Sequence, residues 1–161
     1  MTQLAIKGGP RVVPEEKILP WPWITDEDKQ AVMAALEHGS PWRYPFEEIT
    51  ALEQEWAAFT GTKHCLAVNS GTASLHLCVA AAGVGPGDEV LVPAFTFLAS
   101  ASCVLHSNGI PIFVDIEPNT CTIDPARIEE RITDQTKAIV AVDIHGLPCD
   151  YDEIHAIADR H

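Results

Sequence analysis

The apolar positions of this 161-residue chain follow different spacings in different parts of it. From residue 1 to about 24 they are broken up by Gly8, Gly9, Pro10, Pro14, Pro20 and Pro22, too many breakers for a helix or a central strand, so an extended N-terminal arm is predicted. Trp21 and Trp23 alternate across Pro22 in "PWPW", and both rings are expected to pack as core on a neighbouring surface. From Thr25 the spacing becomes helical. Thr25 and Asp28 read as a capping box, Val32, Ala35 and Leu36 share one face, and Gly39 supplies a stop. A second helix starts at about Phe46, with Ile49, Leu52, Trp56 and Phe59 at helical spacing and Gly61 at its end; its Trp reads as core.

Beyond residue 63 the chain alternates between short apolar runs and helical segments. "HCLAVN" is followed by a helix from Ser70 to Ala82, "EVLVPAF" by a helix through "LASASCVLHS", and "IPIFVDI" by a turn at "EPNT" and a helix capped by Asp124 with Pro125 in first position. "KAIVAVDI" then leads to a helix capped by Asp150, and Asn108-Gly109 closes the preceding "LASASCVLHS" helix in the left-handed conformation those residues tolerate. Runs that are apolar on successive residues are strands covered on both faces, and helical crossovers make neighbouring strands parallel. An α/β architecture follows.

The chain carries ten basic and twenty-three acidic residues, a formal charge of −13. That balance repels phosphate backbones and anionic membrane surfaces, so neither nucleic acid nor a membrane is an expected partner. "MTQLAIKGGPRVVPEEK" lacks the apolar core of a signal peptide and a cytoplasmic location is expected. Cys65, Cys78, Cys103, Cys121 and Cys149 are scattered without C-x-x-C spacing, which points to small apolar fillers and to neither a disulfide framework nor a metal site.

Ligands of open α/β sheets bind outside the carboxyl ends of the strands. "AVNSGTASLHL" places Ser70, Gly71 and Thr72 at such an end, where a helix start presents unpaired N–H groups, glycine lets an anion approach the backbone, and two hydroxyls add donors. A phosphate cradle or a plain N-cap would both use these residues. G-x-G-x-x-G and G-x-x-x-x-G-K-[ST] are absent from the strand-to-helix junctions, which removes the fingerprints of a dinucleotide dehydrogenase and of a P-loop. "VPAFTFLAS" brings Phe95 and Phe97 to the same sheet edge; as isolated residues they read as core, and an aromatic face beside a phosphate cradle also suits a flat ring with a phosphate arm, of which pyridoxal phosphate is one.

"NSGTASLHL", "GVGPGDEVLVPAFTFLASAS", "IPIFVDIEPNTCTIDP" and "TKAIVAVDIHGLPCDYDEI", in this order and spacing, closely resemble the DegT/DnrJ/EryC1/StrS family of pyridoxal-phosphate-dependent aminotransferases. The resemblance takes in nearly the whole chain, including "FEEITALEQEWAAFTGTKHCLAV" and the "AIKGGP" and "PWP" arm. It implies the N-terminal part of the large domain of the aspartate-aminotransferase-like fold (fold type I), a three-layer sandwich with a mostly parallel sheet: residues 1–24 as the arm and 25–161 as an incomplete cofactor-binding domain without its later strands and C-terminal domain. It further implies amination of a keto-sugar, cyclitol or related cyclic keto precursor, an amino-acid donor, and a homodimer in the full-length form.

Residue by residue, the resemblance assigns Gly71 and Thr72, with Ser70 beside them, to the cofactor phosphate, and Phe97 to stacking on the pyridine. Trp42 and Arg43 in "SPWRYP" match an aromatic and basic pair near the substrate, and His145 in "DIHG" is a further substrate-side candidate. Transamination needs a lysine to hold the cofactor and a carboxylate to pair with its ring nitrogen. Both are implied to lie past His161, the carboxylate in an E-D-A-type motif, so no catalytic residue is assigned within the chain. Lys7, Lys17, Lys29, Lys63 and Lys137 sit in the arm, on the first helix or at strand starts, and Asp115 and Asp143 are expected to cap loops. The expected protein is therefore the first part of a longer enzyme. A dehydratase of the same family, with histidine in place of the lysine, and a non-catalytic module that binds a phosphate ligand or assembles with a partner are the alternatives.

Overall fold

The computed structural model describes residues 3–18, 21–37 and 47–161. Residues 1–67 and 68–161 form two separate compact units. Among the described residues, no helix is long and apolar enough to cross a membrane.

In the first unit the arm contains two single-turn 3₁₀ helices, Ala5–Lys7 and Glu15–Lys17. Helix α1 spans Asp26–Glu37 and opens with the expected capping box: the Thr25 N–H donates to Asp28 Oδ2 at 2.7 Å and the Asp28 N–H to Thr25 Oγ1 at 3.2 Å. Helix α2 spans Glu47–Thr60 and ends at Gly61, whose φ of +70° is the left-handed turn that glycine adopts freely. The expected stop at Gly39 and start at Phe46 lie outside the described residues. The predicted core role of the tryptophans is not met: Trp21 is 93% exposed, Trp23 61% exposed, and neither α1 nor α2 has a buried residue. The apolar stripes are present, but none of their described residues is buried; Trp56 makes a ring contact with Phe59, one turn away on its own helix, with ring centroids 5.8 Å apart.

The second unit runs α3 (Gly71–Ala81), β1 (Glu89–Pro93), α4 (Ala99–His106), β2 (Ile110–Val114), α5 (Pro125–Ile128), β3 (Thr136–Ile139) and α6 (Tyr151–Arg160). The strands are parallel in the order β2-β1-β3, with Leu91 opposite Ile112 on one side and Ile139 on the other. On one face, Val90 and Val92 pack with Val79 of α3 and Ala101, Cys103 and Val104 of α4. On the other, Leu91 and Val114 pack with Ile123, Ile128 of α5, and Ile154 and Ile157 of α6. Burying each such side chain contributes about 1.5–3 kcal/mol. The sandwich therefore has three layers, as expected for the fold.

Two predicted strands change. "HCLAVN" forms no ladder; Leu66 stays exposed, and the Ala67 N–H donates to the Glu53 carboxylate at 2.9 Å in place of a strand partner. A run of apolar residues becomes a strand only where its backbone groups pair with another strand, and this segment pairs with none of the described strands. "KAIVAVDI" pairs only through Ile139, with one further bond from the Val140 N–H to the Leu91 carbonyl at 2.8 Å. The five cysteines are free thiols; Cys103 and Cys149 are buried fillers, whereas Cys78 is exposed on α3.

The α4–β2 connection is short and close-packed. Asn108 adopts φ 60°, and a Cβ on Gly109 would lie 2.7 Å from Val84 Cγ1, 3.0 Å from Val104 Cγ1 and 3.3 Å from the Asp88 carbonyl oxygen. Gly109→Ala is expected to destabilise the unit by about 1–3 kcal/mol through overpacking, read from the midpoint of urea unfolding.

Candidate functional site

Each helix of the second unit that precedes or follows a strand runs back across the sheet, so the first turns of α3, α4 and α6 lie at the carboxyl edge of the strands. At α3 the cap is Ser70. Its extended backbone stops the preceding segment, and Ser70 Oγ accepts the Ala73 N–H at 3.2 Å. The Gly71 and Thr72 N–H groups have no acceptor among the described residues. Nothing lies within 4 Å of where a Gly71 Cβ would stand, so the approach to these donors is open. Two free N–H groups at the positive end of a helix, with hydroxyls on either side, fit a phosphate.

Phe97 lies between β1 and α4 at the same edge and is 77% exposed. Thr96 Oγ1, on the residue before it, and the buried Ser100 Oγ lie 2.7 Å apart, and the Phe97 carbonyl accepts the Ser100 N–H at 3.0 Å, so the backbone that carries Phe97 is tied to the first turn of α4.

His145 reaches this edge from the segment after β3. It holds φ 55° and ψ 20°, a left-handed conformation that few non-glycine residues adopt, followed by Gly146 at φ 80°. Its ring lies 6.1 Å from that of Phe95, centroid to centroid. The spacing of the sequence places Phe95 and His145 at one edge but does not reveal that they meet; "HG" inside "DIHG" was the available signal for a left-handed turn. Asp143 does hold its loop, through an acceptor role for the Cys149 N–H at 2.9 Å and the Tyr151 hydroxyl at 3.0 Å. Asp115 accepts the neighbouring Ile116 N–H at 2.9 Å. Trp42 and Arg43 lie outside the described residues.

Two cavities lie elsewhere. One of about 790 Å³ follows the free flank of β3 between Lys137, Ile139, Ile154 and Ala158, and one of about 490 Å³ lies between Glu117, Asp124, Leu147 and Asp150. Neither is lined by Ser70, Gly71, Thr72, Phe97 or His145.

A central parallel strand covered by helices on both faces, with a free helix N-terminus at its carboxyl edge, is the arrangement found in the large domain of fold type I aminotransferases. In line with that class, residues 22–161 match the model of the DegT/DnrJ/EryC1/StrS aminotransferase family, and the chain belongs to this family. It is 39% identical over 166 residues to L-glutamine:2-deoxy-scyllo-inosose aminotransferase of Streptomyces paromomycinus, an alignment covering 98% of this chain and 38% of that protein. The crystal structure of 3-amino-5-hydroxybenzoic acid synthase superposes with a TM-score of 0.85 at 36% identity, over 89% of this chain and 38% of that one. Spr1654 of Streptococcus pneumoniae in its PLP form superposes with a TM-score of 0.80 at 36% identity, over 86% of this chain and 35% of that one. The chain thus spans little more than a third of the length of these relatives.

The Cys149 N–H, and with it the Tyr151 hydroxyl, holds the Asp143 carboxyl below the ordinary aspartate value of 3.8. A carboxylate depressed on folding lends stability that is present above its unfolded value and lost as pH falls through the folded one. Asp143→Asn is therefore expected to flatten the part of the acid-unfolding profile below the ordinary aspartate value, as followed by circular dichroism. An unchanged profile would show that the carboxylate charge does not matter there.

Proposed function

We propose that this chain supplies the phosphate cradle and ring-stacking face of a pyridoxal-phosphate-dependent aminotransferase that aminates a cyclic keto precursor, a keto-sugar or a cyclitol, using an amino-acid donor and acting as a homodimer. The observation that carries this reading is the pair of unpaired N–H groups at Gly71 and Thr72, with an open approach, at the sheet edge that also bears Phe97. Family membership supports the cofactor, and the printed names of the relatives support the substrate class.

The cofactor, when bound, supplies the electron sink through which an amino group is exchanged for a keto oxygen. The residues of this chain hold and orient it. Gly71 and Thr72 N–H groups and the Ser70 and Thr72 hydroxyls would bind the phosphate, reinforced by the helix dipole. The Phe97 face would bear one side of the ring and exclude water from it. Trp42 and Arg43, by their place in the sequence, would offer an aromatic and a basic group to the substrate.

Titration of the 161-residue protein with pyridoxal phosphate, followed by tryptophan fluorescence, checks the cradle. Competition by inorganic phosphate, and weakening of about tenfold or more by Gly71→Val, are expected, since loss of charge-assisted bonds and blocked access each exceed about 1.4 kcal/mol. Equal affinity for pyridoxal and pyridoxal phosphate would sink the reading. Borohydride treatment followed by mass spectrometry is expected to leave no adduct concentrated on one of Lys7, Lys17, Lys29, Lys63 or Lys137, since the family resemblance assigns none of them to hold the cofactor; a single modified lysine would overturn that assignment.

A further inference from the structure

Between β3 and α6 the chain makes a loop that is fixed at several points. The Gly146 N–H donates to the Asp143 carbonyl at 3.0 Å, closing a turn with His145 inside it. Asp143 Oδ1 receives both the Cys149 N–H and the Tyr151 hydroxyl, which brings the two ends of the loop together across six and eight residues. The Cys149 thiol donates to the Val142 carbonyl at 3.2 Å, and Cys149 itself is buried in the core beneath α6. Tyr151 is braced from its other side by His155, in an edge-on contact at 6.2 Å. Asp150, between them, caps α6 by accepting the Glu153 N–H at 3.1 Å. The only side chain in this turn with donor and acceptor nitrogens is His145, which the left-handed backbone directs to Phe95 at the carboxyl edge.

Left-handed backbone at a non-glycine residue costs energy and persists only where surrounding contacts over-determine it. Here those contacts are the Asp143 bonds. We propose that Asp143 and Tyr151 are positioning residues that hold His145 against Phe95, so that its imidazole hydrogen-bonds a polar group on the ring portion of the ligand whose phosphate sits at Gly71. This rests on the cradle reading above. Asp143 and Tyr151 act through His145 and do not themselves touch the ligand.

The test is made on the isotopically labelled 161-residue protein by nuclear magnetic resonance, with pyridoxal phosphate and inorganic phosphate as probes. In the free protein, the His145 ring protons are expected to carry a ring-current shift from Phe95 that Phe95→Leu abolishes and that Tyr151→Phe and Asp143→Asn diminish. Tyr151→Phe removes one oxygen and keeps the packing. Unaltered His145 shifts in both Tyr151→Phe and Asp143→Asn overturn the positioning role. With ligand, pyridoxal phosphate is expected to move both the Gly71 amide and the His145 ring, and inorganic phosphate the Gly71 amide alone. His145→Ala and Tyr151→Phe should weaken pyridoxal phosphate by about three- to tenfold, the effect of one hydrogen bond, and leave inorganic phosphate unaffected. A Gly71 response to pyridoxal phosphate without a His145 response overturns this proposal alone; no Gly71 response to either probe overturns the cradle as well.

Discussion

Strand β1 has no face that meets water. Val90 and Val92 are turned to α3 and α4, Leu91 to α5 and α6, and all three are fully buried. A parallel strand in this position obliges the chain to supply a helical layer on each side, and each connecting helix must recross the sheet to reach the next strand. The convergence of helix starts at one edge is a by-product of that requirement. Dipoles and unpaired N–H groups accumulate there because the core has to be covered, whatever the edge is later used for.

The caps of α3, α5 and α6 show how helix starts are put to different uses. Asp124 and Asp150 accept N–H groups of α5 and α6 with carboxylates, which satisfies the donors and leaves negative charge at the helix ends. Ser70 accepts one N–H with a neutral hydroxyl and is followed by a glycine, which leaves the positive end of α3 uncompensated. Within a strongly acidic chain, α3 is thus a helix start suited to an anion, and the difference lies in the chemistry of one capping residue and its neighbour.

The sandwich was legible from the sequence because its signals are local: successive apolar residues in "EVLVP" and "IPIFV", Pro125 after Asp124 and Asp150 before α6 all act within a few residues of each other. The segment "HCLAVN" has the same composition as the real strands and forms none, since strand formation depends on a neighbour that composition does not specify. Trp21, Trp23 and Trp56 were misjudged for a related reason; a large apolar ring states a preference for burial, and only the surrounding fold determines whether a cover exists. Of the candidate site, Ser70, Gly71 and Thr72 could be read from helix-start chemistry and Phe95 and Phe97 from their place after the strand, while the choice of Phe97 as the stacking ring came only with the family resemblance. The contact between Phe95 and His145 joins residues fifty positions apart and depends on a left-handed backbone, so periodicity carried no trace of it.

The close approach at Gly109 also bears on how this fold tolerates change. Segment 107–109 passes from α4 to β2 with no spare chain, wedged against Val84, Val104 and Asp88. On the opposite edge, segments 115–124 and 140–150 are longer and are held by their own polar side chains together with Ile123 and Cys149 in the core. The two rims of the sheet are therefore unequal, one a rigid floor and the other an adaptable margin. Change is tolerated at the exposed positions of the margin, while Ile123 and Cys149 anchor its two segments in the core and the floor keeps the strands in register.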